Sequence, residues 1–213
     1  AGDSVTDTFT LTVTDSASSE TDTMEVEITI TGADDDVSAG ADQTGAVTED
    51  ASTSTATGSV DASDADADSS LSYAIDTAAG TYGSLAMSGA DWTYTLDNSD
   101  ADTTALDALD SVTDSFTITV TDSASSETDT MTITITITGA DDDVSAGADQ
   151  TGAVTEDAST STATGTMDAS DADADASLSY SGDATGTYGS IAIDSSGAWT
   201  YTLDNSDADT TAL

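Results

Sequence analysis

Asp61-Ala-Ser-Asp64-Ala-Asp66-Ala-Asp68 sets four carboxylates in one short stretch, and the motif returns as Asp168-Ala-Ser-Asp171-Ala-Asp173-Ala-Asp175. In a loop, Asp at alternate positions can turn several carboxylates onto one hard cation. Ca2+, which takes about six to eight oxygens, suits such a set. An EF-hand loop is excluded, because its sixth position would be Ser69 rather than Gly and its twelfth Ile75 rather than Glu. The glycine-rich nonapeptide of calcium β-rolls is absent as well. Two further acidic runs, Asp34-Asp35-Asp36 and Asp141-Asp142-Asp143, follow Thr-Gly-Ala. Zinc is not expected without Cys or His, and a nucleophilic triad would lack its base, since His and Lys are both missing. Paired carboxylates can run acid/base chemistry, but dozens in a regular array single out no pair. The chain reads as a non-enzyme.

Its charge balance bounds the partners. There are 43 acidic residues, 37 Asp and 6 Glu, against no Lys, Arg or His, a formal net charge of −43. No side-chain ion pair can form, and every carboxylate repels its neighbours. Nothing can neutralise a phosphate, so nucleic acid is excluded as a partner, and so is binding to an anionic membrane surface. Without Cys there is no disulfide, and without Lys no isopeptide crosslink. No run of apolar residues is long enough to span a bilayer as a helix, and no signal-peptide pattern opens the chain.

The carboxylates are carried by a repeat. Residues 3–35 return at 110–142 and residues 36–106 at 143–213, a period of 107 residues. Phe9–Val13, Met24–Ile30 and Trp92–Leu96 alternate apolar and polar, as do their copies Phe116–Val120, Met131–Ile137 and Trp199–Leu203. Period-two alternation rich in Thr and β-branched residues marks strands with one buried face. It places Phe9, Leu11, Val13, Met24, Val26, Ile28, Ile30, Trp92, Tyr94 and Leu96 in the core. Further strands are expected at Ala46–Val47, Thr55–Val60, Leu71–Ile75 and Ser84–Met87. About seven short strands per repeat, with no helical period, predict an all-β fold of tandem immunoglobulin-like sandwiches. Pro is absent, so edge strands must be protected by charge.

The domain boundary is expected at Gly-Ala-Asp-Asp-Asp. Residues 1–33 are then the C-terminal strands of a preceding repeat, 34–140 a complete repeat, and 141–213 the N-terminal strands of a following one. Ala1 opens within a repeat, as in a window on a longer array. Lengths of 33 and 73 residues make 106 against the period of 107, so the two partial repeats are complementary.

Several elements, in order, resemble the cadherin-like repeats of large bacterial surface adhesins, in particular the VCBS type. They are Val47-Thr-Glu49-Asp50, Asp64-Ala-Asp66, Gly80-Thr-Tyr-Gly-Ser84, Trp92-Thr-Tyr-Thr-Leu-Asp-Asn98, Asp110-Ser-Val-Thr-Asp-Ser-Phe116, and Val120-Thr-Asp122 leading to Ile137-Thr-Gly139. Asp-Asp-Asp stands where that family has Asn-Asp-Ala-Pro. The resemblance implies Ca2+ where one bead meets the next. One junction would use Glu49, Asp97 and Asp100, the linker residues Asp141, Asp142 and Asp143, and then Asp171 and Asp173. The other would use Asp34, Asp35, Asp36, Asp64 and Asp66, with Asp122 nearby.

The leading expectation is an extracellular filament or adhesin stalk at the cell surface, stiffened by Ca2+ at its joints, with neighbouring copies of the same repeat as partners. Carboxylates crowded at a joint repel each other, so a metal-free joint should flex and a cation should lock it. Two alternatives stand beside it. One is a homopolymeric fibre in which 1–33 of one subunit completes 141–213 of the next by strand addition. The other is a halophilic surface repeat without a specific metal, because a Debye length of about 3 Å at 1 M salt quiets such repulsion. Each repeat holds 21 acidic residues, so most of this charge must be solvated whatever the joints bind.

Overall fold

The computed structural model describes residues 2–182 and 184–213 and is all-β, with no helix among them. Ser4–Thr14 (β1) and Thr21–Thr31 (β2) form a two-stranded hairpin. Seven strands follow: Gln43–Thr48 (β3), Thr55–Ser59 (β4), Leu71–Ile75 (β5), Gly83–Ser88 (β6), Asp91–Leu96 (β7), Ser111–Asp122 (β8) and Thr128–Thr138 (β9). They build a four-stranded sheet in the order β3-β9-β8-β5 and a three-stranded sheet in the order β4-β7-β6. The last stretch carries Thr162–Thr166 (β10), Ala184–Thr185 (β11), Gly189–Ile193 (β12) and Ala198–Leu203 (β13), one sheet in the order β10-β13-β12-β11. By its contacts the chain divides into two compact units. One is Ala1–Val47 with Ala51–Asp97 and Val112–Ile137; the other is Thr48–Asp50 with Asn98–Ser111 and Thr138–Leu213.

The seven-stranded sandwich buries the alternating apolar face as the sequence requires. Trp92, Tyr94 and Leu96 of β7 lie against Phe116, Ile118 and Val120 of β8 and Met131, Ile133, Ile135 and Ile137 of β9, all buried. The Tyr94 and Phe116 rings meet across the sheets at 5.9 Å, tilted by 55°. Gly58 opposite Trp92 leaves room for the indole, which a Cβ there would strike. The indole N–H donates to Gln43 Oε1 at 2.7 Å, so the buried donor is satisfied.

One buried polar lock joins the two sheets. Asp114 accepts the Thr81 and Tyr82 amides at 2.8 and 3.1 Å and the Tyr94 hydroxyl at 2.8 Å. The Tyr94 hydroxyl is pushed far up, by burial first and then by the Asp114 hydrogen bond and charge. Gly-Thr-Tyr, Trp-Thr-Tyr and the Thr-Asp of Asp110–Phe116, separate elements in the sequence, are thus parts of one hydrogen-bonded cluster.

The same alternation has the opposite fate in β1 and β2. Phe9 is 50 % exposed where its copy Phe116 is 2 %, and Ile28 is 48 % exposed where Ile135 is 0 %. Leu11, Val13, Met24 and Ile30 are exposed too, and Val26 is half-buried. The core placement of these seven is corrected here. The hairpin forms with its pattern intact, but no second sheet covers its apolar face among the described residues.

The last stretch shows the complementary loss. Residues 150–155 and 178–182, which copy β3 and β5, form no strand. In the sandwich β3 pairs with β9 and β5 with β8; among the described residues no strand pairs with 150–155 or 178–182. Trp199 and Tyr201, expected in the core, are half-buried. With Gln150, Gly152, Ala153, Val154, Ala163 and Ile191 they line an open groove of about 420 Å³.

Candidate metal centre

The end of β3, the linker and the Asp-x-Asp loop meet within the second unit. Glu49 is set by its own backbone, whose amide donates to Thr138 O at 2.9 Å. Its side chain is 2 % exposed; Oε2 accepts the Ala140 amide at 3.1 Å, and Oε1 is buried with no partner. The linker is held by the Gly139 amide on Asp110 O at 2.9 Å. Only glycine fits at 139, because a Cβ would strike Leu106 and the Asp107 carbonyl. Next along, the Asp142 amide donates to Asp173 Oδ2 at 2.9 Å, and the Asp173 amide donates to Asp171 Oδ1 at 3.1 Å. Asp173 is 9 % exposed, and its Oδ1 is buried without a partner.

These groups repel each other. Burial raises the Glu49 carboxyl above its ordinary value, the Ala140 amide opposes this, and the charges of Asp142, Asp50 and Asp173 add to the rise. Asp142 is raised by burial, then by Asp50, Asp173, Asp171 and Asp141. Alongside, the Asp175 amide donates to Asp107 Oδ1 at 3.2 Å. The Asp175 carboxyl is raised first by its hydrogen bond to the Asp107 carboxyl and then by the Asp107 charge. An isolated buried carboxylate oxygen without a donor is costly, and the chain has no cationic side chain to supply one.

The same construction recurs one period earlier, in the first unit. The Asp35 amide donates to Asp66 Oδ2 at 2.8 Å and the Asp66 amide to Asp64 Oδ1 at 2.8 Å. Asp64 Oδ2 is buried without a partner, and so is Glu127 Oε2 in the β8–β9 turn. Glu127 is raised by burial, then by the charges of Asp34 and Asp36, with the Val37 amide opposing. Asp34 is raised by desolvation and then by Asp66. The Asp35 amide holds Asp66 below its ordinary range.

Sequence-expected residues therefore fall into two groups. Glu49, Asp142, Asp171 and Asp173 are brought together with Asp141 beside them, and Asp34, Asp35, Asp64 and Asp66 are brought together with Asp36 nearby. Asp143 is exposed. The others do local structural work. Asp97 donates its amide to Tyr82 O at 2.9 Å, and Asp100 caps its turn through Oδ1 to the Asp102 amide at 2.9 Å. Asp122 accepts the Ser70 and Ala124 amides at 2.8 and 3.1 Å on Oδ1 and the Ser125 hydroxyl at 3.2 Å on Oδ2, bonds that lower its pKa. It shapes the turn that carries Glu127.

Sequence reasoning missed Asp50, Asp107 and Glu127 as members of these clusters, and it held Asp175 only as part of the acidic motif. A signal for Glu127 existed in the repeat itself. Glu20 and Glu127, like Glu49 and Glu156, recur at the period, whereas Glu25 and Glu27 become Thr132 and Thr134. Among the described residues no three carboxylates converge as a formed metal site. The buried, partnerless oxygens of Glu49 and Asp173 nonetheless fit a hard cation, since only hard oxygen donors are present.

Residues 34–139 match the bacterial cadherin-like domain family. No curated protein matches the chain. Among solved structures, it resembles PcdhgB3 EC1-4 in 50 mM HEPES at 16 % identity and a TM-score of 0.51, covering 93 % of this chain and 48 % of that one. The chain thus spans about half that protein's length. Mouse Protocadherin-24 EC1-3 matches at 16 % identity and a TM-score of 0.40, covering 95 % and 68 %. An endo-fucoidan hydrolase of glycoside hydrolase family 107 matches at 16 % identity and a TM-score of 0.35, covering 93 % and 29 %. At these identities the likeness is one of fold, and only the first score is high enough to carry it.

Proposed function

Because residues 34–139 are a bacterial cadherin-like domain, we propose that the chain is part of an extracellular adhesive or structural array whose linkers are fixed by Ca2+. The observation that carries this reading is the pair of buried, partnerless carboxylate oxygens on Glu49 and Asp173, whose other oxygens accept the linker amides of Ala140 and Asp142. Glu49, Asp142, Asp171 and Asp173 would hold the ion, with Asp50 and Asp141 adding charge beside it. When bound, Ca2+ supplies two positive charges to a cluster that has none. The chain's own residues do the rest. Glu49 ties the end of β3 to Ala140, Gly139 lets the linker lie against Leu106, and Asp173 draws Asp142 onto the Asp-x-Asp loop.

The second linker has the parts for the same role in Asp64, Asp66 and Glu127, and one buried oxygen each of Asp64 and Glu127 lacks a donor. A chain of such linkers would stiffen and extend in calcium and loosen without it, a mechanical activity that needs no catalytic residue. The domain family is not an enzymatic one. The array's neighbours along its length would be further copies of the same repeat. A second reading rests on the many exposed Asp side chains: acidity as adaptation to high salt, with no specific metal.

Thermal unfolding in millimolar Ca2+ against chelator, at matched ionic strength and with Mg2+ and NaCl controls, separates the two. A stabilisation specific to Ca2+ supports the linker sites. Equal stability in NaCl alone sinks them and leaves the salt reading.

A further inference from the structure

We infer that the uncharged edge strand β4 pairs antiparallel with the same strand of a second copy of this chain, joining two copies side by side through one continuous sheet. β4 ends the sheet β4-β7-β6, and among the described residues no strand lies on its outer side. The Leu96 amide donates to Ser54 O at 2.8 Å and the Val60 amide to Ala90 O at 2.9 Å. With Thr55 opposite Thr95 and Ser59 opposite Asp91, the even-numbered residues therefore bond to β7. Thr55, Thr57 and Ser59 turn their amides and carbonyls off the sheet. Gln43 marks that side, since its Nε2 donates to Ser59 O at 2.7 Å. The other edge of the same sheet is closed by its own chain. There the Leu85 amide donates to Ala78 O at 2.9 Å and the Gly80 amide to Gly83 O at 2.7 Å.

Edges are ordinarily blunted by charge, Pro or a bulge. In a chain of which 20 % is charged, residues 51–60 carry no acid and no Pro, and the β4–β7 register runs without a bulge. The same edge recurs at β10, where the Leu203 amide donates to Ser161 O at 2.8 Å and the Met167 amide to Gly197 O at 2.9 Å. Residues 158–167 are again free of acid. The bare edge is thus a property of the repeat.

Charge and register together select a second copy as the occupant. A cationic partner would find no carboxylate on this strip, and its ion pairs lie elsewhere. Two chains of net charge −43 can approach only where both surfaces are uncharged, and this strip is uncharged over its whole length. The strand is also complementary to itself. Turned about Thr57, it sets Thr55 opposite Ser59 of the copy and Thr57 opposite its own counterpart, so the outward amides and carbonyls pair throughout. Ser59 O keeps a lone pair for this beside its bond to Gln43. The exposed Thr and Ser side chains meet as cross-strand pairs, and Ala56 and Gly58 between them are small.

The register fixes the test, run on the full chain in chelator so that it is independent of the linker reading. At about 1 M NaCl, where the Debye length is about 3 Å, mass by light scattering should rise with concentration above 21.1 kDa, and fall back as salt is lowered. Thr57 and its counterpart should stand about 5.5 Å apart at Cα, within disulfide reach. Thr57→Cys, the sole cysteine of the chain, should therefore cross-link two copies on oxidation far faster than Ser88→Cys on the opposite edge. Thr57→Asp with Thr164→Asp should abolish the growth in mass, while Ser88→Asp with Ser195→Asp, an equal charge on exposed sites away from β4 and β10, should leave it. Thr57→Pro with Thr164→Pro removes outward amides without breaking a bond to β7 or β13, and should abolish it too. A chain that stays monomeric at every concentration in high salt overturns the inference. So does a disulfide no faster from Thr57→Cys than from Ser88→Cys, or growth that survives the Asp and Pro variants.

Discussion

Glu49 is the residue on which the calcium reading can be tested most sharply, because its environment predicts a change of sign. Its side chain is 2 % exposed, with one oxygen on the Ala140 amide and the other without a donor. Glu49→Gln keeps an acceptor for Ala140, deletes the charge and puts an NH2 donor in place of the partnerless oxygen. In chelator, the wild-type carboxylate is opposed by burial and by Asp142, Asp50 and Asp173. Removing an uncompensated buried charge relieves about 1–3 kcal/mol. For a chain of this size each kcal/mol moves Tm by about 2–4 °C, so the variant should melt about 2–12 °C above wild type. With Ca2+ at about a hundred times Kd the wild type gains about 2.7 kcal/mol by linkage. A variant that has lost a ligand binds more weakly and gains less. The order of stabilities should therefore narrow and then reverse as Ca2+ rises. Differential scanning calorimetry of both proteins, in chelator and across a Ca2+ series at fixed ionic strength, reads this directly. A variant less stable in chelator, or one with the same calcium increment as wild type, would refute the reasoning.

Ile135→Ala should cost about 2–5 kcal/mol by opening a cavity in the sandwich, whereas Ile28→Ala should change monomer stability by under about 0.5 kcal/mol, checked by urea denaturation. Asp114→Ala leaves the buried Tyr94 hydroxyl and the part-buried amides of Thr81 and Tyr82 without their acceptor. It should cost about 3–5 kcal/mol and leave the calcium isotherm unchanged. The raised carboxyls of Glu49, Asp142 and Glu127 favour the folded state when protonated, and that contribution is lost as pH rises through their raised values. The metal-free linkers should thus be firmest at acid pH, while calcium affinity, which needs deprotonated ligands, should fall as pH drops through the same window just above the ordinary carboxylate range. Asp122 works the other way: its lowered pKa stabilises above the ordinary 3.8, and that share is lost as pH falls below it, an effect visible in chelator by acid titration.

Read alone, the sequence placed most of the strands, their apolar faces and the acidic linkers. Alternation needs only nearest-neighbour geometry, so Trp92–Leu96 and Met131–Ile137 could be placed on strands without knowing what covers them. Spacing by two in a loop made Asp171 and Asp173 candidate ligands, because such residues can converge on one ion, and the resemblance to cadherin-like repeats added Glu49. Alternation cannot state whether a covering sheet is present. Phe9 and Phe116, or Ile28 and Ile135, read identically and differ only because the second of each pair meets β7. Strand formation differs between copies as well: β3 pairs with β9, whereas 150–155, with the sequence of β3, pair with no strand among the described residues. Nor could spacing reveal that Asp114 is a lock, that Asp100 and Asp122 serve their own turns, or that Glu127 faces Asp34 and Asp36 across more than ninety residues of chain. Those roles depend on which amides and charges lie within a few ångströms, and only the packing of the sheets brings them there.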